Sequence, residues 1–158
     1  MRINLEWLKE WIDFDFEPYE LAHQLTIGGL EVGSIETISC HSKGVLIAKI
    51  IDCRPHPNAD RLNICQVDTG SSFHTVVCGA QNAQKNKVTA YAPLGSMLAD
   101  GRTIEPVNLR GEASEGMLCS SAELGLSEDH SGLVELEENA PLGVFIEDYL
   151  KLDDVVLD

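Results

Sequence analysis

The chain lacks the features that would build a disulfide framework, a zinc site or a membrane anchor. Its five cysteines are an odd number with no Cys-x-x-Cys pair, whereas such sites need paired, closely spaced ligands. The longest apolar stretch, residues 45–51, is interrupted by Lys49 and is too short to span a bilayer. The amino terminus has no apolar signal-peptide core. We therefore predict a cytoplasmic chain whose reduced cysteines face the interior of the fold.

Basic residues are scarce and unevenly distributed. The 158 residues carry 11 Lys and Arg against 26 Asp and Glu, a net charge of −15. Residues 43–120 hold eight basic and seven acidic side chains, whereas residues 1–42 hold two and eight, and residues 121–158 hold one and eleven. Only the middle segment can approach a polyanion without strong repulsion. Stacking platforms for bases are also few in this segment: Phe73, Tyr91, His56 and His74.

The first forty residues predict a helix, a second helix and a strand. Asn4 is a candidate cap for a helix with Leu5, Leu8 and Ile12 on one face. Pro18 suits the first position of a second helix, which runs to about residue 25. Further elements are predicted from the apolar patterns: a strand at 30–38, a helical turn at 122–124, a strand at 133–136, a helix at 145–150 and a strand from 153.

Short β-type runs separated by turn signals fill the middle of the chain. We predict strands at residues 45–53, 62–68, 73–78, 87–92, 103–107 and 117–120. Asp100-Gly101, between apolar residues, predicts a two-residue hairpin. So many short strands favour a small closed barrel, because closure leaves the sheet without exposed edges.

Three clusters of polar residues and glycine stand at the ends of these runs. They are His-Pro-Asn-Ala-Asp-Arg-Leu at 56–62, Val-Cys-Gly-Ala-Gln-Asn at 77–82, and Leu-Arg-Gly-Glu-Ala-Ser-Glu-Gly-Met-Leu-Cys-Ser at 109–120. We expect these loops to gather on one rim of the barrel, and loops on a rigid scaffold commonly carry function. Together the clusters resemble the tRNA-binding barrel of the endothelial-monocyte-activating-polypeptide type, an OB-fold.

Motifs outside the barrel make the resemblance more specific. They are Trp-Leu-Lys-Glu-Trp at 7–11, Gly-Gly-Leu-Glu-Val at 28–32, Glu-Leu-Gly-Leu at 123–126, Asp-His-Ser-Gly-Leu at 129–133 and Tyr-Leu-Lys-Leu-Asp-Asp at 149–154. With them, the whole chain resembles the amino-terminal part of the bacterial phenylalanyl-tRNA synthetase beta subunit. We therefore expect it to be the front piece of a longer protein.

The resemblance implies a mainly β fold, α+β overall. A five-stranded OB-fold barrel is inserted in a small α+β domain made from both chain ends. Residues 1–40 would form the first part of that domain, residues 41–150 the tRNA-binding barrel with a short helical extension, and residues 151–158 a truncated returning strand.

The function implied by the resemblance is a non-catalytic tRNA-binding and architectural module of phenylalanine–tRNA ligase. The partners would be phenylalanine-specific tRNA and the alpha subunit of a heterotetramer, with no DNA and no membrane. ATP and Mg²⁺ would serve the alpha subunit, so no cofactor is expected in this segment. The residues themselves present no catalytic constellation and no phosphate-binding glycine loop. A protein-docking or spacer module without tRNA contact remains the alternative.

The candidate tRNA-binding residues combine basic groups for phosphates with neutral polar groups and one adaptable apolar side chain. They are Lys49, His56, Asn58, Arg61, Asn82, Lys85, Lys87, Arg110, Ser114 and Met117. Purely structural roles are open for some of them. Asn58 could close an Asx turn, and Arg110 could pair with Glu112 or Glu115. Gly79, Gly111 and Gly116 could serve only to permit special backbone angles.

Overall fold

The computed structural model describes residues 1–158, and the chain divides into two compact units. The first unit comprises Met1–Ser39 and Lys151–Asp158, and the second comprises Cys40–Leu150. None of the helices has both the length and the apolar character needed to cross a membrane. In chain order the elements are β1 (Ile3–Asn4), α1 (Leu5–Lys9), α2 (Pro18–Ile27), β2 (Ile35–Ile38), β3 (Leu46–His56), β4 (Ala59–Asp68), β5 (Phe73–Cys78), β6 (Val88–Pro93), β7 (Val107–Leu109), β8 (Glu112–Ser114), β9 (Gly116–Leu118), α3 (Ile146–Tyr149) and β10 (Asp154–Leu157).

The first unit packs its helices on a three-stranded antiparallel sheet in the order β1-β10-β2. Its buried core is small and contains Leu5, Leu21, Ala22 and Leu157. Pro18 occupies the start of α2, as predicted, because this position needs no amide donor. The strand predicted from residue 153 is confirmed as β10, which lies in the centre of the sheet.

Three predictions for the first unit are wrong in whole or in part. Asn4 makes no side-chain cap hydrogen bond to α1; instead the Glu6 amide donates to the Asp154 carboxylate at 3.2 Å. The helix ends at Lys9, so Ile12 lies outside it and is 56% exposed. Of the strand predicted at residues 30–38, only Ile35–Ile38 forms, because β10 offers it a register of four residues.

A five-stranded antiparallel sheet in the order β5-β4-β3-β6-β9 forms the second unit. The sheet closes between β5 and the residues just before β9: the Glu115 amide donates to the Thr75 carbonyl at 2.9 Å, and the Val77 amide donates to Ser114 Oγ at 3.1 Å. The predicted five-stranded barrel is therefore confirmed. Strand β5 matches its predicted limits of 73–78, and the three other long runs form strands within a few residues of their predicted bounds.

Some segments predicted as regular structure form turns or single bridges instead. Of the strand predicted at residues 103–107, Thr103 forms one bridge to Met97 around the predicted Asp100-Gly101 turn, and Val107 begins β7. The helical turn predicted at 122–124 is a hydrogen-bonded turn that ends at Gly125. Residues 133–136 form no strand, although the Val134 amide donates to the Cys119 carbonyl and the Leu136 amide to the Val88 carbonyl.

Three of the five cysteines point into the barrel. Cys53, Cys65 and Cys78 pack in the interior cluster with Val67, Val76 and Tyr91, as predicted for small apolar residues. Cys119 instead lies in a second core, outside the barrel interior, with Ile47 and Leu98. All five are free thiols. Burial raises the pKa of the Cys119 thiol to about 12 and also raises the pKa of Cys78.

We expect only Cys53 to react appreciably with a thiol reagent in the native protein at pH 8. It is half-buried, whereas the other four are buried, and thiolates are the reactive species. Titration with a chromogenic disulfide, before and after denaturation, measures this. Five thiols should appear on denaturation; rapid reaction of Cys119 in the native protein would contradict the burial.

Gly116 permits the closest backbone approach in the barrel. A Cβ built at this position would lie 2.4 Å from Tyr91 Cε2 and 2.5 Å from the Ala92 carbonyl oxygen. Because Gly116 also has φ +155°, Gly116→Ala should lower the free energy of unfolding by about 1 kcal/mol of backbone strain and by a further ~1–3 kcal/mol for the steric overlap. Gly95→Ala is the control: it has φ +88° but meets no atom within 4 Å, so its cost should be about 1 kcal/mol. Urea denaturation of both variants decides the comparison, and equal costs would refute the steric explanation.

Candidate nucleic-acid interface

His56 ties two of the polar loops together. The side chain is buried, and its Nδ1 accepts the Asn58 amide at 3.0 Å. Its Nε2 therefore carries the proton and donates to the Leu109 carbonyl at 2.9 Å. Asn58 adds a second link, since Nδ2 donates to the Arg110 carbonyl at 3.4 Å. The β3–β4 turn and the β7–β8 turn consequently lie side by side, as the rim prediction required, and no Asx turn uses the Asn58 side chain.

Arg61 and Arg110 meet at one surface cleft. The cleft, about 460 Å³ in volume and here called the arginine cleft, is lined by residues 58–62 and Arg110. Both arginines are exposed, and neither forms a salt bridge. The Glu115 carboxylate, a candidate partner of Arg110, instead accepts the Thr75 amide at 2.7 Å. Two unpaired guanidinium groups in one cleft are suited to bind phosphate oxygens.

The polar cluster at residues 77–82 extends this cleft. Arg61 also lines a neighbouring cavity of about 640 Å³ together with Asp60, Asn63, Gly79 and Gln81. The shared Arg61 joins the two spaces into one surface. Asp60 lies in both and reduces the positive potential there, so long-range attraction of an anion is modest.

Four candidate residues are engaged in internal contacts. His56 links the loops, and Ser114 is buried while it donates to the Gly116 carbonyl and accepts the Val77 amide. Asn82 holds the carboxy-terminal segment: Oδ1 accepts the Leu133 amide at 2.8 Å, and Nδ2 donates to the Leu133 carbonyl at 3.0 Å. Lys87 forms a salt bridge with Glu135. Each of these side chains has a structural partner that accounts for it.

The remaining candidates are dispersed. Lys49 in β3 lies opposite Asp68 in β4 and is about 23 Å along the strand from His56, at ~3.3 Å per residue. Lys85 is exposed in the segment between β5 and β6 and makes no salt bridge. Met117 is half-buried and packs against the second core. The structure therefore gathers Asn58, Arg61 and Arg110, and leaves Lys49 away from them.

The aromatic side chains offer little stacking surface. Tyr91 is fully buried, stacks on His74 at a centroid distance of 5.2 Å and donates its hydroxyl proton to the Glu115 carbonyl at 2.7 Å. Burial raises the pKa of Tyr91 to about 12, so the hydroxyl stays protonated and remains a donor. Phe73 is exposed at the start of β5.

A cavity that sequence reasoning missed lies next to Gly79 and Gln81. Here called the Glu123 cavity, it is about 430 Å³ in volume, and its one carboxylate is the largely buried Glu123. Glu123 Oε2 accepts the Ser120 amide at 2.7 Å and also the Ser120 hydroxyl, while Oε1 lies 3.5 Å from His130 Nδ1. Burial raises the pKa of Glu123, but the hydrogen bonds from Ser120 and His130 outweigh it, and the net shift is downward. The Ser-x-x-Glu spacing at 120–123 was the available sequence signal.

The structure contains no group of three or more His, Cys, Asp or Glu side chains placed to hold a metal ion. The exposed guanidinium groups of Arg61 and Arg110 can bind phosphate oxygens.

Comparison with known proteins also indicates a nucleic-acid-binding domain. Residues 45–144 match the family described as "Putative tRNA binding domain". Because the match covers more than half of the chain, this protein belongs to that family of tRNA-binding domains.

Several relatives match this chain from end to end. It is 40% identical over 159 aligned residues to the phenylalanine–tRNA ligase beta subunit of Yersinia pestis and 43% identical over 158 residues to that of Syntrophus aciditrophicus. Both matches cover all of this chain and 20% of the relative, so the chain spans about a fifth of their length. These matches confirm the resemblance found in the sequence. A solved structure, the MetRS related protein from Pyrococcus horikoshii, matches 63% of this chain and 85% of its own with 16% identity and a TM-score of 0.45.

The structural role of Asn82 can be tested by its effect on stability. Asn82→Ala removes both hydrogen bonds to Leu133 and should lower the free energy of unfolding by about 1–3 kcal/mol. Gln84→Ala, an exposed neighbour, should change it by no more than about 0.5 kcal/mol. Thermal unfolding of the two variants tests this, and an Asn82→Ala variant as stable as the parent would refute the structural role.

Proposed function

We propose that this chain is the non-catalytic tRNA-binding module of a phenylalanine–tRNA ligase beta subunit and that the arginine cleft contacts the tRNA backbone. Membership of the tRNA-binding family supports tRNA as the ligand, and the 40–43% identity of the whole chain to one fifth of the beta subunits supports the parent enzyme. The observation that supports this location is that two arginines without salt-bridge partners, Arg61 and Arg110, line one cleft. Barrels of this type commonly bind nucleic acid with their loops and strand faces.

Further parts of the proposal follow from similarity to the beta subunits. Residues 41–150 serve as the tRNA-binding barrel, and residues 1–40 with 151–158 contribute to a small α+β domain. The alpha subunit is the partner in a cytoplasmic heterotetramer, and ATP and Mg²⁺ act in catalytic parts outside this segment. The parent enzyme joins phenylalanine to its tRNA.

Charge predicts weak, salt-sensitive binding by the isolated chain. The net charge of −15 opposes approach of a polyanion, and the barrel segment contributes only a small positive balance. Affinity should therefore lie near the non-specific range, about 10⁻⁴ M at physiological salt. In the larger protein, contacts elsewhere would raise the effective concentration of tRNA at the cleft.

The test is Arg61→Ala combined with Arg110→Ala. Removing two guanidinium groups that bind phosphates should weaken binding similarly for all tRNAs and reduce the salt slope by ~1 for each phosphate no longer neutralised. Fluorescence anisotropy of labelled tRNA at low salt, over a range of NaCl concentrations, measures both quantities.

Arg2→Ala combined with Arg102→Ala is the matched control. Both arginines are exposed and paired with carboxylates, Glu36 and Asp100, and the change in net charge is the same. If the two double variants lose affinity equally, the effect is one of net charge and not of the cleft. If neither loses affinity while circular dichroism shows folded protein, the protein-docking function replaces tRNA contact at this surface.

A further inference from the structure

We propose that the Glu123 cavity binds one unstacked nucleobase that presents an amino group, namely cytosine, adenine or guanine, and that it discriminates against uracil. The inference rests on the proposed function, because the base would belong to RNA whose phosphates lie at the arginine cleft. The Glu123 cavity would recognise a base, whereas the arginine cleft contacts the phosphate backbone. Single-stranded RNA is commonly read in this way, by unstacked bases held in pockets.

The walls of the cavity suit a flat, mostly apolar ring. Met117, Leu118, Leu133 and Ala80 line it, and a methionine side chain adapts to an aromatic face. The exposed His130 ring lies at the same cavity and can stack on a bound base. The volume of about 430 Å³ lies within the usual range of small-ligand sites.

The polar edge of the cavity carries both acceptors and donors. Ser120 donates two hydrogen bonds to Glu123 Oε2, so Oε1 is the oxygen left to accept a further hydrogen bond beside His130. Gln81 and Ser131 add side chains that can donate as well as accept. A base edge has an amino donor beside a ring or carbonyl acceptor and can satisfy both kinds of group. A lysine or arginine side chain brings donors only, so the cavity fits a base better than a cationic residue.

Continuity with the arginine cleft supports the same ligand. Residues 79–81 line both the Glu123 cavity and the neighbouring cavity that contains Arg61. A nucleotide can therefore place its phosphate toward Arg61 and its base toward Glu123. The acidic group lies on the base side, where it does not meet a phosphate.

Discrimination follows from the charge on Glu123. The Watson–Crick edge of uracil carries carbonyl oxygens on both sides of its N3–H, and an oxygen beside a carboxylate is unfavourable. Cytosine, adenine and guanine each place an amino group there instead. Uracil can donate to the carboxylate only through N3–H, which brings its two carbonyl oxygens close to the same charge, so a site that accepts from an amino group should bind uracil more weakly.

The test is a set of NMR titrations of the ¹⁵N-labelled 158-residue chain with CMP, AMP, GMP and UMP. The first three should shift the amides of residues 79–81 and 131–133, and UMP should bind at least about tenfold more weakly. Inorganic phosphate should shift signals near Arg61 and Arg110 alone. Equal shifts with all four nucleotides, or no shift at the cavity, would overturn the proposal.

Glu123→Gln sharpens the test. The amide oxygen can replace Oε2 as the acceptor from Ser120, which turns the NH₂ group toward the cavity and should abolish the preference for CMP over UMP. Glu128→Gln, an exposed neighbour with the same charge change, should retain it. If Glu123→Gln lowers the melting temperature strongly, His130→Ala serves as the second variant, and it should weaken CMP binding without changing the base preference. An unaltered preference in folded Glu123→Gln contradicts the proposal.

Failure of this inference is distinguishable from failure of the proposed function. If tRNA affinity depends on Arg61 and Arg110 but nucleotides leave the Glu123 cavity unperturbed, the function stands and the base pocket is refuted. If CMP perturbs the cavity while tRNA affinity is insensitive to both arginines, the pocket stands and the cleft is refuted. Occupation of the cavity by arginine amide in preference to CMP would refute the pocket in favour of a protein ligand.

Discussion

Closure of the barrel between β5 and the β8–β9 segment is the constraint on which the other features depend. Glu115 contributes three hydrogen bonds to it: its amide donates to the Thr75 carbonyl, its carboxylate accepts the Thr75 amide, and its carbonyl accepts the Tyr91 hydroxyl. Ser114 accepts the Val77 amide beside them. Gly116 leaves room for Tyr91 to reach this seam. A small sheet closed in this way has no long free edge and buries a single interior.

The rim geometry follows from that closure. Once β8 is held against β5, the β7–β8 turn lies where His56 can bond the Leu109 carbonyl, and this places Arg110 beside Arg61. The proposed tRNA contact therefore depends on two loops held together by the buried His56 imidazole, although the chain as a whole is acidic. Such an arrangement favours short-range contact with phosphates over long-range attraction.

Local signals in the sequence predicted much of the architecture. Phe73–Cys78 ends in a run of apolar residues and is bounded by turn signals, and Pro18 marks a helix start; both predictions matched because neighbouring residues decide them. Asn4 failed as a cap because the acceptor used is Asp154, which is distant in sequence. The roles of Asn82 and Ser114 were hidden for the same reason, since their partners lie on other parts of the chain. The Glu123 cavity is likewise made by segments that only the fold brings together.

The central claim is that a rim of loops, and not the acidic first unit, meets tRNA. Hydrogen–deuterium exchange of the chain with and without tRNA at low salt tests it most directly. We predict slowed exchange at residues 56–62, 79–81 and 109–111, with Met1–Ser39 unchanged. Slowed exchange confined to Met1–Ser39 and Lys151–Asp158, or to the part of β3 around Lys49, would contradict it.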